Sequence, residues 1–450
     1  MGALPDGAKK VRRPSFRSTK RVAALSICAI FMGPARLMSL NPQRTISELK
    51  DLRTLTSDRN GAQRVAWTDT WVKARDWFQS KLKGLPVEHH YDAAGNSWTT
   101  LEGASEKALI LGGHLDSVPN GGWLDGSLGV LASLAVLRRF AEEFGGRPPV
   151  TVRLVDWADE EGARFGRSLL GSSAFAGTAT IEADRGRTDK DGIRLGDAVA
   201  RCGFPFDRFP EATAERKNAA AYIELHIEQG PVLERLGLPL GVVLGTKGVE
   251  RHAITFLGQE AHSGSTPMDA RRDALAAAAK LALETRSIAR KHKDAVSTIG
   301  SVKTFPGIAT AVVGRCETTL DQRDLDAQVL AAMYREAQEA SRRFASEENC
   351  TVESSRIWSI EPIQFHPALL ELCEQSVCEV AGAAHRLPSG PLHDAAEVAR
   401  SAIPAVMMFV QSLRGLSHTK LEDTKEEHLE MAAKAFDRLA AKTMNWILRR

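Results

Sequence analysis

With 450 residues, 43% of them hydrophobic and 26% charged, the chain has an ordinary globular composition and enough length for roughly two or three domains. No apolar run reaches the roughly 18–20 residues that span a bilayer, so we expect no membrane partner. The net charge of +3 combines +7 on residues 1–37 with −4 on the remainder, which predicts no basic surface for nucleic acid.

Residues 1–37 combine a basic stretch with an apolar run at 22–32, a pattern typical of a targeting signal. No small-residue cleavage motif follows. We therefore favour a true start at Met38 or a dispensable tail, leave a targeting signal open, and place the segment outside the fold. The six cysteines form no CxxC pair, which fits free thiols in a reducing compartment, and we expect a cytoplasmic protein.

Strands and helices alternate over the first half of the body, after helical patterning at 41–82 and a predicted hairpin at 87–99. Apolar strands that are separated by helices and end in charged residues predict an α/β fold, with a mostly parallel sheet and helices on both faces. The predicted strands are 108–111, 150–157 and 221–225, and a predicted helix at 128–144 separates the first two.

The pattern changes near Leu236, where short alternating segments and two long helices predict an α+β domain. We expect this domain to be inserted at 237–352, between two parts of the α/β domain at 38–236 and 353–450. Its predicted strands are 240–246, 252–257, 296–304 and 316–322, and its predicted helices are 269–291 and 325–347. The α/β pattern resumes after a strand at 351–358, with helices at 367–381 and 425–448 and a strand at 405–410.

A glycine-rich loop follows the first predicted strand and carries His114, Asp116 and Asp125. One histidine beside one aspartate is usually a surface hydrogen bond, but clustered glycines indicate backbone that turns sharply or approaches another group closely. The loop also leaves the carboxyl end of a strand just before a helix, where open α/β sheets place their sites. We therefore predict a functional site in this loop.

Three further predicted strand ends are followed by polar side chains, namely Glu160 with Glu161, His226, and His418. Imidazole and carboxylate together suit Zn, Mn, Co or Ni. An aspartate such as Asp125 can bridge two ions, and paired ions can polarise a carbonyl and deprotonate a water. The strand ends therefore predict a centre for divalent metal ions.

An adjacent glutamate pair is usually a solvated loop, but Glu160 and Glu161 directly follow a buried strand. Alternation along an extended backbone points neighbouring side chains in opposite directions, so one carboxylate can bind metal while the other faces a substrate. Asp116 is better placed to orient His114 than to bind metal itself.

Five motifs combine these residues with others. They read Gly-Gly-His114-Leu-Asp116-Ser-Val-Pro with Asn-Gly-Gly-x-x-Asp125-Gly; Glu160-Glu161-Gly-x-Arg164-Phe165 with Gly171-Ser-x-Ala-Phe-Ala-Gly177; Glu224-Leu-His226-Ile-Glu-Gln229-Gly-Pro; Ala261-His262-Ser-Gly-x-Thr-Pro-Met268 with Arg271 and Asp273; and Phe409-Val-x-Ser with Gly-x-Ser417-His418. Over about residues 42–450 the chain resembles the hydantoinase/carbamoylase-type amidases of the aminoacylase–carboxypeptidase metallopeptidase superfamily. That branch contains N-carbamoyl-L-amino-acid hydrolases, allantoate amidohydrolases and β-ureidopropionases. Its peptidase relatives usually carry a carboxylate in place of His226.

The resemblance implies a binuclear metal-dependent amidohydrolase that cleaves a C–N bond of an N-carbamoyl amino acid or related ureido acid with metal-activated water. It implies that His114, Asp125 and His226 hold one divalent ion, that Asp125, Glu161 and His418 hold the other, and that Glu160 is the general base.

The resemblance also implies a homodimer formed through the inserted domain, which would act as a lid. His262 would reach into the partner's site and stabilise the oxyanion, although taken alone it is better explained as a hydrogen-bonded turn histidine. Gln229 and Arg323 resemble residues that grip the ureido end and the carboxylate of the substrate. Arg323 could equally form a strand-end salt bridge.

Two segments depart from the family's pattern. Thr310 stands where relatives usually carry a substrate-contacting Asn, and Pro391-Leu392-His393 replaces Ala-Gly-His. Both segments lie where specificity would be set, so they leave the substrate more open than the reaction. His393 fits either the core or the site, and we favour the core.

Two other functions stay open at this stage. An aminoacylase or dipeptidase of the same superfamily would act on N-acyl amino acids or dipeptides, but His226 with Gln229 favours the ureido branch. A non-catalytic dimeric binding or scaffold protein would need neither metal ligands nor a base, and the complete set in this chain argues against it.

Overall fold

Two large sheets organise the fold, beside two two-stranded sheets, Ser57–Asp58 with Gly61–Ala62 and Ala261–His262 with Ala311–Val312. The computed structural model describes residues 40–450, so the predicted tail at 1–37 lies outside the described residues. No helix in this described part is long and apolar enough to cross a membrane. The strands are β1 Ser57–Asp58, β2 Gly61–Ala62, β3 Glu88–Tyr91, β4 Ser97–Leu101, β5 Ser105–His114, β6 Val150–Trp157, β7 Ala219–Ile227, β8 Leu240–Thr246, β9 Gly248–Leu257, β10 Ala261–His262, β11 Val296–Phe305, β12 Ala311–Val312, β13 Arg315–Asp324, β14 Thr351–Ile360, β15 Ile363–Gln364, β16 Arg386–Ser389 and β17 Ala405–Val410.

The helices connect these strands. They are α1 Pro42–Thr56, α2 Asp69–Ser80, α3 Ser127–Glu143, α4 Leu170–Ala176, α5 Ile181–Asp184, α6 Leu195–Arg201, α7 Val232–Leu236, α8 Ala274–Arg290, α9 Ala327–Glu347, α10 Pro367–Ala381, α11 Asp394–Arg400 and α12 Glu426–Leu448, with 3-10 segments at Phe206–Arg216, Met268–Ala270 and Leu413–Gly415.

The larger sheet has nine strands in the order β15-β8-β17-β7-β5-β6-β4-β3, with β16 beside β8. Its centre is parallel, since β17 pairs with β7, β7 with β5, and β5 with β6, all in the same direction. Strands β6 and β17 are buried along their whole length, which is the pattern expected where helices cover both faces of a parallel sheet. The predicted α/β fold class is confirmed.

Two adjacent glycines in β5 show how tightly the two faces are covered. A Cβ on Gly112 would lie 2.1 Å from the Tyr222 hydroxyl. The Tyr222 ring packs against Trp157, and Trp157 packs against Phe175 of α4. A Cβ on Gly113 would lie 2.8 Å from the backbone nitrogen of Val130 in α3, on the opposite face. Because neighbouring strand residues point to opposite faces, helices must lie against both sides of β5.

The smaller sheet is antiparallel, with the order β11-β13-β9-β14. Helices α8 and α9 cover one face around a core of their own, which includes Phe256, Leu320 and Met333. The predicted helix at 269–291 begins later, at Ala274, because the Asp273 side chain accepts hydrogen bonds from the first backbone N–H groups of the helix.

One strand predicted for the inserted domain belongs to the larger sheet in the structure. The sequence pattern places residues 240–246 in the insertion, but in the structure β8 pairs with β17 in the nine-stranded sheet. Gly241 and Gly245 point to the same face of this strand, and a Cβ on Gly241 would lie only 2.8 Å from Leu387. Gly241 therefore permits close packing and does not face solvent. The separate sheet runs from Gly248 to Ile360.

Candidate metal centre

The carboxyl ends of the four central parallel strands meet at one edge of the nine-stranded sheet. β5 ends in His114, β6 leads to Glu160 and Glu161, β7 carries His226, and the loop after β17 carries His418. These strand ends surround a cavity of about 210 Å³. The residues lining it are Asp125, Glu160, Glu161, Ser168, His226, Gln229, Pro391, Leu392, His393 and His418.

A first triad consists of His114, Asp125 and His226. Oδ1 of Asp125 lies 3.1 Å from Nε2 of His226 and 3.6 Å from Nε2 of His114. One atom from each residue lies within 4.8 Å of the other two, and all three side chains are buried. This is a compact set of nitrogen and oxygen donors around one point.

A second triad consists of Asp125, Glu161 and His418. Nε2 of His418 lies 3.3 Å from Oε2 of Glu161 and 3.6 Å from Oδ2 of Asp125. Oδ1 of Asp125 therefore faces the first triad and Oδ2 faces the second. The two triads differ in exposure, because the His418 side chain is 51% exposed whereas those of Asp125 and Glu161 are buried.

The histidines of the first triad are oriented by backbone carbonyl groups. Nδ1 of His114 lies 3.1 Å from the Asp116 carbonyl oxygen, and Nδ1 of His226 lies 2.9 Å from that of Ile227. Nδ1 donates in both rings, so both Nε2 atoms face Asp125 as possible metal ligands. Nε2 of His114 is buried and has no hydrogen-bond partner.

Asp116 acts mainly on the neighbouring strand end. Its two carboxylate oxygens accept the backbone N–H groups of Glu160 and Glu161, each at 3.2 Å. The sequence predicts that Asp116 orients His114, and its Oδ1 lies 3.6 Å from Nδ1 of that ring. The Asp116 backbone oxygen is closer, at 3.1 Å. The carboxylate also holds the two glutamates in place.

The loop that carries Asp125 depends on one glycine. Gly126 has φ +65°, and a Cβ there would lie 2.3 Å from the His114 ring. Asp125 is also held by hydrogen bonds to Oδ2 from Ser417 Oγ and Gln229 Nε2, both at 2.8 Å. Gln229 and His418 themselves adopt left-handed φ values, a strain that is concentrated at functional sites.

The electrostatics of the centre favour cations. Burial, reinforced by neighbouring carboxylates, raises the pKa of Glu160 and of Glu161 well above the usual value. Burial would likewise raise the pKa of Asp125, but the hydrogen bond with His226 lowers it overall. Burial opposes the charge on His226, yet Asp125 raises its pKa to about 9. Divalent ions would neutralise this buried negative charge and replace that proton, so the residues fit a metal centre.

Glu160 lies outside both triads but beside the first. Its Oε2 is 3.7 Å from Nε2 of His114, and the side chain is 10% exposed. The charge of Asp394 adds to the rise in its pKa, after burial. Glu160 and Glu161 are thus directed at different triads.

Three predicted site residues lie away from the cavity, in the part of the chain that forms the smaller sheet. His262 and Thr310 are neighbours, because the Ser263 backbone N–H donates to the Thr310 carbonyl oxygen at 2.9 Å. His262 is exposed and its Nδ1 accepts the N–H of Gly264. Arg323 binds Asp321 and also reaches the nine-stranded sheet, with Nη1 3.5 Å from the carbonyl oxygen of Gly390.

Three residues contribute to the site although the sequence alone does not assign them to it. His393 is buried, as favoured, but it also lines the cavity, with its ring centroid 4.4 Å from that of His226. Burial lowers its pKa well below the usual value. Ser417 was seen only as part of a motif, and Glu422, which holds the backbone of Asp125, has no local signal in the sequence.

Comparisons with known proteins identify relatives over most of the chain. The sequence model of peptidase family M20/M25/M40 matches residues 110–442. An N-carbamoyl-L-amino acid amidohydrolase from Geobacillus stearothermophilus is 36% identical over 82% of this chain and 90% of its own length. An allantoate amidohydrolase from Escherichia coli (strain K12) is 31% identical over 81% and 88%. The crystal structure of a hydantoinase/carbamoylase family amidase from Burkholderia multivorans, 31% identical, covers 90% of this chain and 98% of its own with a TM-score of 0.80.

Proposed function

Because the chain belongs to peptidase family M20/M25/M40, and within it to the hydantoinase/carbamoylase amidases, we propose that it is a metal-dependent amidohydrolase of N-carbamoyl amino acids or related ureido acids. The observation that carries this proposal is the position of Asp125, whose two carboxylate oxygens face two separate sets of metal-ligating side chains. A purely structural aspartate would not need such an arrangement.

Two divalent ions per subunit fit this geometry. His114 and His226 would complete one site with Asp125, and Glu161 and His418 the other. Mixed imidazole and carboxylate donors suit Zn, Mn, Co or Ni. When bound, such ions polarise the substrate carbonyl and lower the pKa of water.

Glu160 is the proposed general base. It lies next to the first triad without belonging to either, and burial raises its pKa well above the usual value, the direction that favours proton uptake. Glu160 would take a proton as the water oxygen bonds to the carbonyl carbon. It would return the proton to the nitrogen as the C–N bond breaks. His393 and the amide of Gln229 line the same cavity and would orient the substrate.

The smaller sheet is the proposed lid and dimerisation domain. We place its insertion at 248–360, shifted from the expected 237–352 because β8 belongs to the larger sheet. Its outer strand β11 pairs on one side only and exposes Val302 and Phe305, at 50% and 42%. Such an edge supports pairing with a second copy. The exposed His262 would then enter the partner's site as oxyanion donor, near Thr310, while Arg323 would bind the substrate carboxylate.

The location we propose is the cytoplasm. The cysteines of the described chain, Cys202, Cys316, Cys350, Cys373 and Cys378, are all free, which supports a reducing compartment.

The test is ammonia release from N-carbamoyl-L-amino acids, allantoate and β-ureidopropionate. The protein is stripped with chelator and reloaded with Mn, Co, Ni or Zn, and N-acetyl amino acids and dipeptides are assayed alongside. We expect metal-dependent ammonia. Freed amino acid from the N-acetyl compounds or dipeptides without ammonia would instead make the chain an aminoacylase or peptidase. A protein that binds no divalent ion would favour a non-catalytic role.

A further inference from the structure

We infer that Leu392, together with Pro391, forms the subsite for the substrate's side chain, so that the preferred substrate is an N-carbamoyl α-amino acid with an apolar side chain. This inference rests on the proposed function and narrows its substrate class. It assigns a role to a loop, residues 389–393, whose sequence departs from the pattern of the family.

The first observation is the chemistry of the cavity wall. Pro391 and Leu392 are the two apolar side chains among the residues that line it, and all the others are charged or polar. Pro391 is exposed and Leu392 is half-buried. An apolar group of a substrate that covered both side chains would remove their surface from water, which is favourable, whereas a charged or ureido group would lose hydration there.

The second observation is the position of this apolar pair. At one end of the loop, the carbonyl oxygen of Gly390 lies 3.5 Å from Nη1 of Arg323, the proposed carboxylate ligand. At the other end, the His393 ring packs 4.4 Å from that of the metal ligand His226. Leu392 therefore lies between the residues proposed to bind the two ends of the substrate.

The chemistry of the candidate substrates then discriminates among them. In an N-carbamoyl α-amino acid, the carbon that carries the side chain lies between the carboxylate and the ureido nitrogen. With those two groups at Arg323 and at the metal centre, the side chain would meet Leu392. A β-ureido acid has no side chain at that point, and allantoate has a second, polar ureido group.

The loop is also held in one conformation. Ser389 Oγ donates to the carbonyl oxygen of Pro391 at 2.9 Å and accepts from Nε2 of His393 at 2.9 Å. The proline ring fixes one further backbone angle. Leu392 is thus presented by a loop whose two ends are pinned, so the shape of the subsite is set before the substrate binds.

The test compares kcat/KM for N-carbamoyl-L-leucine, N-carbamoyl-L-aspartate and N-carbamoylglycine on the metal-loaded full chain. We expect leucine to be preferred over the other two by at least about tenfold, the order of discrimination an apolar pocket gives. Leu392→Gly should lower the value for the leucine compound about tenfold and leave that for the glycine compound within about twofold. Leu392→Met should keep the preference. Leu448→Ala, at a leucine that is 49% exposed on α12, is the control and should change neither value.

The outcomes distinguish a failure of the proposed subsite from a failure of the proposed function. Ammonia release with equal values for the leucine and glycine compounds, or a Leu392→Gly variant that loses both equally, would overturn the subsite and leave the proposed function standing. No ammonia from any ureido compound would overturn the proposed function and the subsite with it. Unfolding temperatures of the variants show whether each one is folded under the assay conditions.

Discussion

Glu422 accepts the backbone N–H of Asp125 at 3.0 Å, although 297 residues separate the two in sequence. The same oxygen accepts the N–H of Leu124 at 2.9 Å, and the side chain is buried. One carboxylate thus fixes the loop that carries the residue shared by both triads.

Loss of Glu422 should therefore weaken metal binding indirectly, by releasing the backbone of the loop that carries Asp125. Glu422→Ala leaves two buried N–H groups without an acceptor, and we expect it to cost about 1–3 kcal/mol of unfolding free energy and to weaken metal affinity. Glu422→Gln keeps an acceptor oxygen and should be milder in both respects. Denaturant unfolding and metal titration check this, with the exposed Glu427→Ala as control. Equal losses in the Gln and Ala variants would contradict it.

Substitutions of Glu160 and Glu161 should have different effects on catalysis and on metal binding. Glu160→Gln removes the proposed base and should lower kcat by about 10²–10⁴-fold with both ions still bound. Glu161→Gln removes a ligand of the second triad and should lose metal as well as activity. Metal analysis beside steady-state kinetics distinguishes the two. Retained turnover in Glu160→Gln would contradict the assignment of Glu160 as the general base.

Metal stoichiometry should reveal the shared ligand. Because His418 belongs to one triad and Asp125 to both, His418→Ala should bind one divalent ion per subunit, whereas Asp125→Asn should weaken both sites. The wild-type chain should bind two. Equilibrium dialysis followed by elemental analysis measures this. Two ions retained by Asp125→Asn at wild-type affinity would rule out the bridging role.

The Gly126 position can be tested against a matched glycine. Gly126 and Gly145 both have positive φ, +65° and +59°, but only Gly126 has the His114 ring where a Cβ would lie. Alanine should cost about 1–3 kcal/mol of backbone strain at either position. Gly126→Ala should in addition displace His114 and lower metal affinity, whereas Gly145→Ala should bind metal normally. Metal titration of both variants is the measurement, and equal affinities would disprove the steric argument.

The stability of the metal-free protein should depend on pH with a defined sign. Burial raises the pKa of Glu422 from its usual 4.5 to about 7, and raises those of Glu160 and Glu161 as well. A carboxyl with a higher pKa when folded binds more protons in the folded state, so stability falls as pH rises through this window. The lowered pKa values of His114, about 4, and of His393 act in the opposite direction but are outnumbered.

We therefore expect the Tm of the chelator-treated protein to fall between about pH 5 and pH 7. Saturating metal should abolish or reverse the trend, because ligands bind metal in their deprotonated form. Thermal unfolding with and without chelator is the test. A metal-free protein that grows more stable over this range would contradict the raised pKa values.

The sequence predicted the elements that carry the centre because their signals are local. The run that became β6 is apolar throughout, and the glycines after β5 mark a turn. The strand at 240–246 pairs in the larger sheet, although the change of pattern near Leu236 predicts that it belongs to the insertion. Pairing partners of a strand depend on the whole fold, so a periodicity of two could not identify them.

Residues that support the site were harder to find than its ligands. Glu422 acts on backbone groups far away in the chain, and nothing beside it in the sequence indicates that role. His393 is buried, as a core histidine would be. It also lines the cavity because β16 and α11, which flank it in the chain, bring its ring against that of His226. His262 stays a prediction because its proposed task involves a second copy of the chain.

If Asp125 serves two ions, as proposed, their occupancies would be thermodynamically linked. An ion at either triad would fix the rotamer of Asp125, so the second ion would not repeat that ordering cost, while each ion would also draw electron density from the oxygen offered to the other. The balance of these effects is a coupling free energy, and by reciprocity it is the same whichever ion binds first. Activity would then follow metal concentration along a curve with a Hill coefficient different from one, which sets the range of free metal over which the protein is switched on.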